Sequence, residues 1–384
     1  MSPKTIRAWA WAHKWSSLVC TVFMFLLGLT GLPLIFHHEI GHLLGTEIEA
    51  PPLPAGVAAR AVSLDEAVAA ARQAHPGLRA QYLSPEEDSD DVWRITLAAP
   101  PAPGADGKNA LPAISKQAFT LAVIDARTGA LLGSPPLTSG FMWIVTRLHI
   151  DLFAGLPGKL FLGGMGLLLL IALVSGAVLY APFMRKLRFG QVRRRPRQPR
   201  LKWLDLHNLL GIVTLVWFFV VGATGVLHTC ADLLVAHWQR SELGPLMAAA
   251  SAQKTQSEPP ADTPAASLQA AYEAAQAAAP GMRLYFMAFA GTPYASARHH
   301  AFFMRGATAL TSRLPQPVLV DAHSAQVAAV PRRPWYLTAL LLARPLHFGD
   351  YGGLPMQLLW AALDVLTLIV LGSGLYLWLR KGKA

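Results

Sequence analysis

The sequence is poor in charge, and acidic residues are the scarcer kind. Only 14% of its 384 residues are charged and 53% are hydrophobic, while 33 Lys and Arg residues outnumber 22 Asp and Glu residues. A typical soluble domain carries about 25% charged residues. The low charge therefore excludes an ordinary soluble enzyme and indicates a membrane protein.

Cysteine and dinucleotide-binding motifs are also scarce. The two cysteines, Cys20 and Cys230, belong to no Cys-x-x-Cys or Cys-x-x-Cys-His pattern, which excludes a zinc ribbon and covalent attachment of c-type haem. No Gly-x-Gly-x-x-Gly motif follows a predicted strand. We therefore expect no nicotinamide or flavin domain in this chain.

What the sequence does contain is four long apolar runs. Each could cross a hydrocarbon core of about 30 Å, which takes roughly 20 helical residues. Only the last run carries a charge, Asp364. The first run is too long for a signal peptide and lacks a small-residue cleavage site, so we expect a retained helix. The runs are Trp15 to Phe36, Leu160 to Met184, Leu209 to Ala231 and Leu354 to Leu379.

Basic residues predict the orientation of these spans. They cluster before the first run, between the second and third runs and after the fourth, with no acid among them. Such a bias predicts cytoplasmic termini, a cytoplasmic linker and two exported connections. The alternative interpretation of "RKLRFGQVRRRPRQPRLK" is a nucleic-acid patch, but a short linker between two spans already explains it. We expect anionic lipids as its neighbours and no nucleic-acid partner.

The chain is a tandem repeat outside the spans as well. "SLDEAVAAARQAHPG" from Ser63 is echoed by "SLQAAYEAAQAAAPG" from Ser267. Each pattern predicts a helix with a serine N-cap and a Pro-Gly stop, and in the first copy Glu66 completes a capping box. Short β-type runs follow each helix: "VWRITLA" and "AFTLAVIDARTGALLG" in the first half, and "RLYFMAFA", "HAFFMRG" and "PVLVDAHSAQVAAV" in the second. The predicted fold class is an α-helical membrane protein, a four-helix bundle built from a tandem repeat of helix, α+β module and helix. The predicted segments are 1–36 (first span), 37–148 (first exported module), 149–184 (second span), 185–204 (basic linker), 205–231 (third span), 232–346 (second exported module) and 347–384 (fourth span and basic tail).

Four histidines occupy matching positions in the two halves of the repeat. His13 and His207 each precede a Thr-Gly pair by 17 residues, and His149 and His347 each precede Gly-Leu-Pro by six. Because the halves share one orientation, a pseudo-two-fold axis along the membrane normal should bring the members of each pair together. Two facing imidazoles are what a six-coordinate haem iron requires, and a four-helix bundle can enclose the porphyrin. The pattern predicts two haems, one near each membrane face.

Small residues in mid-span also repeat. Thr30-Gly31 and Thr224-Gly225 match each other, as do Ser175-Gly176 and Ser373-Gly374. Such pairs suit close approach of helices or of a flat ligand.

Other histidines remain open as ligands. His37, His38 and His42 follow the first run, while His228 and His237 end the third, and their spacings do not match. His228 and either His37 or His38 are therefore rival ligands near the outer face. We expect solvated positions in exported strands for His299, His300 and His323.

Three charged residues have two interpretations each. Arg147 and Arg344 lie just before His149 and His347, where a guanidinium could bind a haem propionate or an acidic ligand, or simply anchor the interface. Asp364 lies near mid-span, where an acid is costly. It either handles a proton or a quinol, or makes a structural hydrogen bond to a neighbouring helix.

The stretches "AHKWSSLVCTVFMFLLGLTG" and "LHNLLGIVTLVWFFVVGATG", the two Leu-His entrances and the two "SL…PG" helices resemble the PepSY-associated transmembrane proteins, a family that includes FoxB-type ferric-siderophore reductases. The resemblance covers nearly the whole chain. It implies an oxidoreductase of the bacterial inner membrane with two haem b groups and two periplasmic PepSY-like modules. Its substrate would be siderophore-bound Fe(III), reduced at the periplasmic face.

The chemistry of iron agrees with that implication. Hard oxygen donors such as hydroxamates hold Fe(III) far better than Fe(II), so one electron would loosen the chelate. Without its own nicotinamide or flavin domain, the chain would take that electron from a quinol or from a separate protein.

The rival interpretation is a non-redox PepSY membrane protein that acts as a sensor, chaperone or protease regulator. Its histidines would then be ordinary interfacial residues. A transporter is a third interpretation, weakened by the small number of spans and the single buried charge.

Overall fold

The computed structural model contains four helices long and apolar enough to cross a membrane: Pro3–Ile35, Leu156–Ala181, Arg200–Thr229 and Gly353–Leu379. In the described residues, these four helices contain most of each predicted apolar run and are candidate membrane spans. Most of the basic linker and the last residues of the tail lie outside the described part of the chain. The structure describes residues 1–53, 60–86, 89–100, 118–184, 192, 199–253 and 265–380.

All four of these long helices begin before the predicted apolar runs do. The first starts at Pro3 because the Ser2 hydroxyl accepts a hydrogen bond from the Thr5 amide at 3.2 Å, and because proline suits the first helical position. The α-helices in the described residues are α1 Pro3–Ile35, α2 His37–Leu43, α3 Leu64–Ala74, α4 Phe141–Ile150, α5 Leu156–Met184, α6 Pro199–Thr229, α7 Ala231–Trp238, α8 Gly244–Gln253, α9 Leu268–Ala278, α10 Trp335–Phe348 and α11 Gly353–Leu379.

The four long helices form one compact unit, which comprises Met1–Ile40, Gly140–Asp232 and Leu340–Ala384. Helix α1 packs against α5 and α11, and α6 packs against the same two helices. The four helices therefore form a closed ring in which the repeat mates α1 and α6 are diagonal, as an internal two-fold relation requires. The centre of the ring is filled by Cys20, Met24, Leu169, Phe218 and Leu371.

The second compact unit comprises Gly41–Ser139 and Leu233–Ala339. Its eight antiparallel strands form one sheet in the order β4-β3-β2-β1-β5-β6-β7-β8. The strands are β1 Arg79–Pro85, β2 Val92–Ala98, β3 Phe119–Asp125, β4 Leu131–Gly133, β5 Arg283–Ala288, β6 His299–Arg305, β7 Gln316–Asp321 and β8 Val327–Ala329.

The predicted class of α-helical membrane protein is therefore only partly supported: it describes the four long helices, whereas the strands of the two predicted α+β modules form one eight-stranded antiparallel sheet. The two predicted modules are also joined: β1 pairs with its repeat mate β5, with Tyr82 opposite Ala288 and Leu83 opposite Met287. Each module alone would expose the edge of its first strand, and pairing the two edges satisfies their backbone groups.

Helices α3 and α9 cover one face of the sheet. Their buried residues Leu64, Val68 and Ala275 pack in a single core with Ile95 and Phe302 of the strands. The predicted capping box is confirmed, since Ser63 accepts from the Glu66 amide while the Glu66 carboxylate accepts from the Ser63 amide.

The two repeats are also joined through a helix cap. The Asp65 carboxylate accepts hydrogen bonds from the Ser267 hydroxyl at 2.6 Å and from the amides of Leu268 and Gln269 at 2.8 and 3.0 Å. Partial burial raises the pKa of Asp65, but these hydrogen bonds to its charged form outweigh burial and lower the pKa below 3.8. An acid of α3 thus caps the first turn of α9.

Candidate functional site

The inner histidine pair comes from the two diagonal helices. His13 of α1 and His207 of α6 face each other with ring centroids 6.5 Å apart and ring planes at 69°. The Nδ1 atom of His13 lies 2.8 Å from the Ala172 carbonyl, and that of His207 lies 3.0 Å from the Val370 carbonyl. The neighbouring helices α5 and α11 therefore fix both rings.

The outer pair has nearly the same geometry. His149 and His347 face each other with centroids 6.3 Å apart and planes at 65°. They lie at the ends of the short helices α4 and α10, just before the second and fourth long helices begin. The His347 Nδ1 atom lies 3.0 Å from the Val221 carbonyl.

Each repeated hydroxyl-glycine pair receives one histidine. The four hydroxyls contact the four Nδ1 atoms: Ser175 with His13 at 3.4 Å, Ser373 with His207 at 3.0 Å, Thr30 with His149 at 3.0 Å and Thr224 with His347 at 3.3 Å.

The adjacent glycines leave room for the rings. A Cβ atom on Gly176 or Gly374 would lie 3.0 or 3.2 Å from the Cε1 atom of its histidine, closer than nine in ten real Cβ contacts. On Gly225 it would lie 3.1 Å from that atom of His347. From the sequence, we expect these small residues to allow close contact between helices or with a flat ligand. In the structure they instead contact the imidazole rings, and we call each hydroxyl-glycine pair the seat of its histidine.

These contacts fix the protonation of the rings. A carbonyl oxygen can only accept, so Nδ1 carries the proton in His13, His207 and His347. The Thr30 hydroxyl donates its own proton to the Leu26 carbonyl at 2.7 Å, so it too accepts from Nδ1–H, here of His149. In the neutral form of each ring Nε2 then keeps a free lone pair, as a metal-ligating histidine requires.

The spacing within each pair suits an iron atom between two imidazoles. A bound nitrogen lies about 2 Å from a metal and about 1.2 Å from its own ring centroid, so two axial rings have centroids about 6.4 Å apart. The observed separations are 6.5 and 6.3 Å. Haem brings four nitrogens of its own and needs only such a pair, so the residues present fit haem at both positions.

A cavity of about 470 Å³ surrounds the inner pair. Its walls come from all four long helices and are mostly aliphatic and aromatic, with a few polar side chains such as Lys14, Tyr180 and Asn208. Binding pockets for cofactors commonly have such a volume and such apolar walls.

The rival outer ligands fit less well. His228 does approach the outer pair, but its centroid lies 5.5 Å from that of His347, shorter than axial ligation of one iron requires. The His37 Nδ1 atom bonds the Leu34 carbonyl at 3.0 Å and its ring packs at 4.2 Å on His38, within one short segment. In the described chain no group of three or more His, Cys, Asp or Glu side chains is placed to hold a metal ion.

Two histidines of the sheet contradict the sequence prediction. His299 and His300 are buried, at 0% and 8% exposure, rather than solvated. Burial and the neighbouring His299 lower the pKa of His300 to about 4, and its neutral ring accepts from the Ala290 amide at 3.1 Å. The prediction failed because β6 is covered on both faces, so alternation along the strand says nothing about exposure. His323, as predicted, is exposed.

The two arginines occupy different surroundings. The Arg147 guanidinium bonds the buried Asp151 carboxylate at 2.8 Å, one turn further along, and Asp151 also accepts from the Phe153 amide at 3.0 Å. The Arg344 guanidinium lies 5.8 Å from the Phe348 ring. Binding of a haem propionate by either arginine stays a prediction.

Asp364 is buried inside the bundle with 8% exposure. Its carboxylate lies against α1 where that helix carries Gly28 and Gly31. No hydrogen bond to Asp364 occurs in the part of the chain that the structure covers. A structural hydrogen bond, one of its two interpretations, therefore has no support there.

Comparison with known proteins agrees with the helical pattern. The family described as the PepSY-associated TM region matches residues 10–381. A curated relative, the uncharacterized protein PA4219 of Pseudomonas aeruginosa, is 28% identical over 264 residues, which cover 62% of this chain and 63% of the relative. The match thus spans less than two thirds of that relative. Because the family match runs almost from end to end, the chain belongs to the PepSY-associated TM region family.

Proposed function

We propose that the protein is a di-haem b oxidoreductase of the bacterial inner membrane that passes electrons across the membrane to siderophore-bound Fe(III). The observation that carries the proposal is the pair of histidine separations, 6.5 Å and 6.3 Å, in a single bundle. Both separations match the spacing of two axial imidazoles on one iron, about 6.4 Å.

His13 and His207 would hold one haem, and His149 and His347 the other. When bound, the haems would supply reversible one-electron carriers inside the apolar interior of the helix bundle. The chain's own contribution is to orient the four Nε2 atoms through the Nδ1 contacts and to exclude water with the apolar core at Met24, Phe218 and Leu371.

A ferric hydroxamate-type siderophore is the proposed substrate. One electron converts Fe(III) to Fe(II), which oxygen donors hold weakly, so the chelate opens without cleavage of a covalent bond. A quinol is a suitable donor, since its oxidation releases two electrons and two protons and therefore matches two ferric chelates. A separate reductase protein is the other donor class.

The test uses the full-length protein in liposomes with a short-chain quinol, a ferric trihydroxamate chelate and a ferrous-iron indicator. We expect ferrous iron to form only with haem-loaded protein, and the His347→Ala variant to lose most of that activity. The His42→Ala variant, which changes an exposed histidine of α2, serves as the control.

Two outcomes would contradict the proposal in different ways. Haems that the quinol reduces but that the ferric chelate never reoxidises would reject the substrate. A protein that stays colourless after expression with ample haem would reject the redox function and favour a PepSY protein that senses or regulates a partner.

A further inference from the structure

The bundle contains a carboxyl group that the proposed electron path does not use. Asp364 is the single charged residue of α11 and is 8% exposed. Within the residues that the structure describes, no donor satisfies its carboxylate. An acid at this depth costs a few kcal/mol, so an unpaired one is a functional candidate by default.

The facing helix makes space for this carboxylate. A Cβ atom on Gly28 would lie 3.1 Å from its Oδ1 atom and 2.7 Å from the Leu368 Cδ2 atom, too close to be accommodated without movement. Gly31, one turn further along, lies between Asp364 and the outer pair. A Cβ there would be 3.6 Å from Asp364 Oδ2 and 3.5 Å from His149 Cε1.

A second unsatisfied polar atom lies one turn from Asp364 on the same helix. The Thr367 hydroxyl is buried without a partner in the described chain. Buried polar atoms are normally satisfied by protein or by ordered water. An unpaired hydroxyl next to an unpaired carboxyl suits a proton-accepting site better than an apolar helix contact.

Few other charges face Asp364. Helix α1 has no Asp, Glu, Lys, Arg or His between Lys14 and its end, and α6 has none between His207 and His228. The titratable groups near Asp364 are therefore His149 beside Gly31 and, beyond it, His347 and His228. Helix α4, which packs against α1, adds the Arg147–Asp151 ion pair, and α10 adds Arg344 beside Phe348. A change of charge at the outer histidine pair would act on a carboxylate that has no ion pair of its own in the described chain.

We propose that Asp364 takes up a proton when an electron arrives at the outer histidine pair, and releases it when the electron leaves. This inference rests on the proposed function. The arriving electron adds one negative charge in a low-dielectric site, and one proton from water on the carboxylate cancels it. Oxidation by the ferric chelate removes the electron and returns the proton to water, so charge and protons balance over the cycle.

Asp364 has no counterpart in the other half of the chain. Its repeat mate is Gly166, whose neighbour is Val226 and which carries no acid. Because a two-fold axis along the membrane normal keeps repeat mates at one depth, the outer pair has this acid on the α11 side and none at the equivalent position of α5.

The test is a spectroelectrochemical titration of both haems at several pH values, with the outer haem identified as the one absent from the His347→Ala variant. Reduction favours protonated Asp364, so we expect the outer midpoint potential to fall as pH rises. The slope should approach about 59 mV per pH unit, the one-electron, one-proton limit. The inner potential should not share this slope.

Two variants distinguish the effect of the Asp364 carboxyl on the outer potential from the effect of other buried polar groups. Asp364→Asn is neutral at all pH values, so its outer potential should stay at the low-pH limit of the unmodified protein and lose the slope. Thr214→Val, which removes a buried hydroxyl of α6 that donates to the Leu210 carbonyl, should keep the slope. An Asp364→Asn protein with two haems and an unchanged slope would overturn the inference while leaving the proposed function intact.

A second measurement does not depend on folding of the variant. The redox-difference infrared spectrum of the unmodified protein should show a protonated carboxyl C=O band that appears on reduction and shifts in D₂O. Absence of that band would contradict the inference even if Asp364→Asn cannot be purified. A protein that binds no haem would overturn both this inference and the function on which it rests.

Discussion

Each of the four paired histidines depends on two partners that lie on another helix, a hydroxyl and a glycine of one dipeptide. The hydroxyl reaches Nδ1 and the glycine leaves the space that Cε1 occupies. Partners of this kind orient a ligating ring, and their loss commonly weakens binding 10- to 100-fold. Haem binding should therefore respond to changes both in the histidines and in their seats.

The inner pair gives the first prediction. The His207→Ala variant should retain about half of the haem, because His13 alone cannot complete the axial pair and the described chain offers no other histidine beside it. Haem content per chain measures the loss. His42→Ala is the matched control, and full retention of both haems by His207→Ala would reject the assignment.

The outer pair is tested by comparing two neighbouring histidines. His347→Ala should lose the outer haem, whereas His228→Ala should keep it, because the His149–His347 separation of 6.3 Å matches axial ligation and the His228–His347 separation of 5.5 Å does not. Absorption spectra and haem content of the two variants decide between them. Loss of the outer haem in His228→Ala alone would show that His228 is the ligand.

Two glycines of α11 provide a matched pair for the seat. Gly374→Ala places a methyl 3.2 Å from His207 Cε1, while Gly372→Ala meets no atom within 4 Å. Both substitutions favour the helix equally, by about 1 kcal/mol. We expect inner-haem affinity to fall about ten-fold in Gly374→Ala and to stay unchanged in Gly372→Ala. Equal affinities would show that the glycine does not position the ring.

At the scale of elements, local chemistry was a better guide than long-range pairing. The capping box at Ser63 and the strand Val92–Ala98 follow from the sequence because their signals lie within a few residues. Strand β1 was missed, since its register shifts between Ala80 and Tyr82 and blurs the alternation. Its pairing with β5, about 200 residues away, has no local signal at all.

The helix cap between the repeats gives a prediction at this scale. Asp65→Ala should destabilise the first turn of α9 by about 1 kcal/mol and speed amide exchange there roughly five-fold at neutral pH. Gln73→Ala, which changes an exposed residue of α3, the helix that carries Asp65, is the control. Exchange rates that match the control would show that the cap is dispensable.

The same cap predicts a pH dependence. The folded-state pKa of Asp65 is lowered, so its stabilising contribution is complete above the unfolded-state value, about 3.9. The contribution is lost as pH falls through the lower folded-state pKa. The difference in thermal unfolding between Asp65→Ala and the unmodified protein should be full at pH 7 and should shrink below about pH 4.

At the scale of the whole molecule, the repeat explains why the histidine pairs could be predicted. Matching His13 with His207 and His149 with His347 required only equal spacings in the two halves, and the diagonal placement of α1 and α6 bears that symmetry out. Asp364 departs from it, since its mate is a glycine. The symmetry of the sequence therefore predicted the two histidine pairs. It could not predict that the Asp364 carboxyl lies near the outer pair. The orientation of the four spans stays a prediction from the basic residues.

The central claim is that each histidine pair holds one haem, and the most direct test is the haem content of the purified full-length protein after haem-replete expression. A pyridine haemochrome assay with a protein determination counts b-type haems per chain. We expect two haems per chain, with six-coordinate low-spin spectra in both redox states. A value near zero would contradict it, because neither pair would then be an axial ligand set despite separations of 6.5 and 6.3 Å.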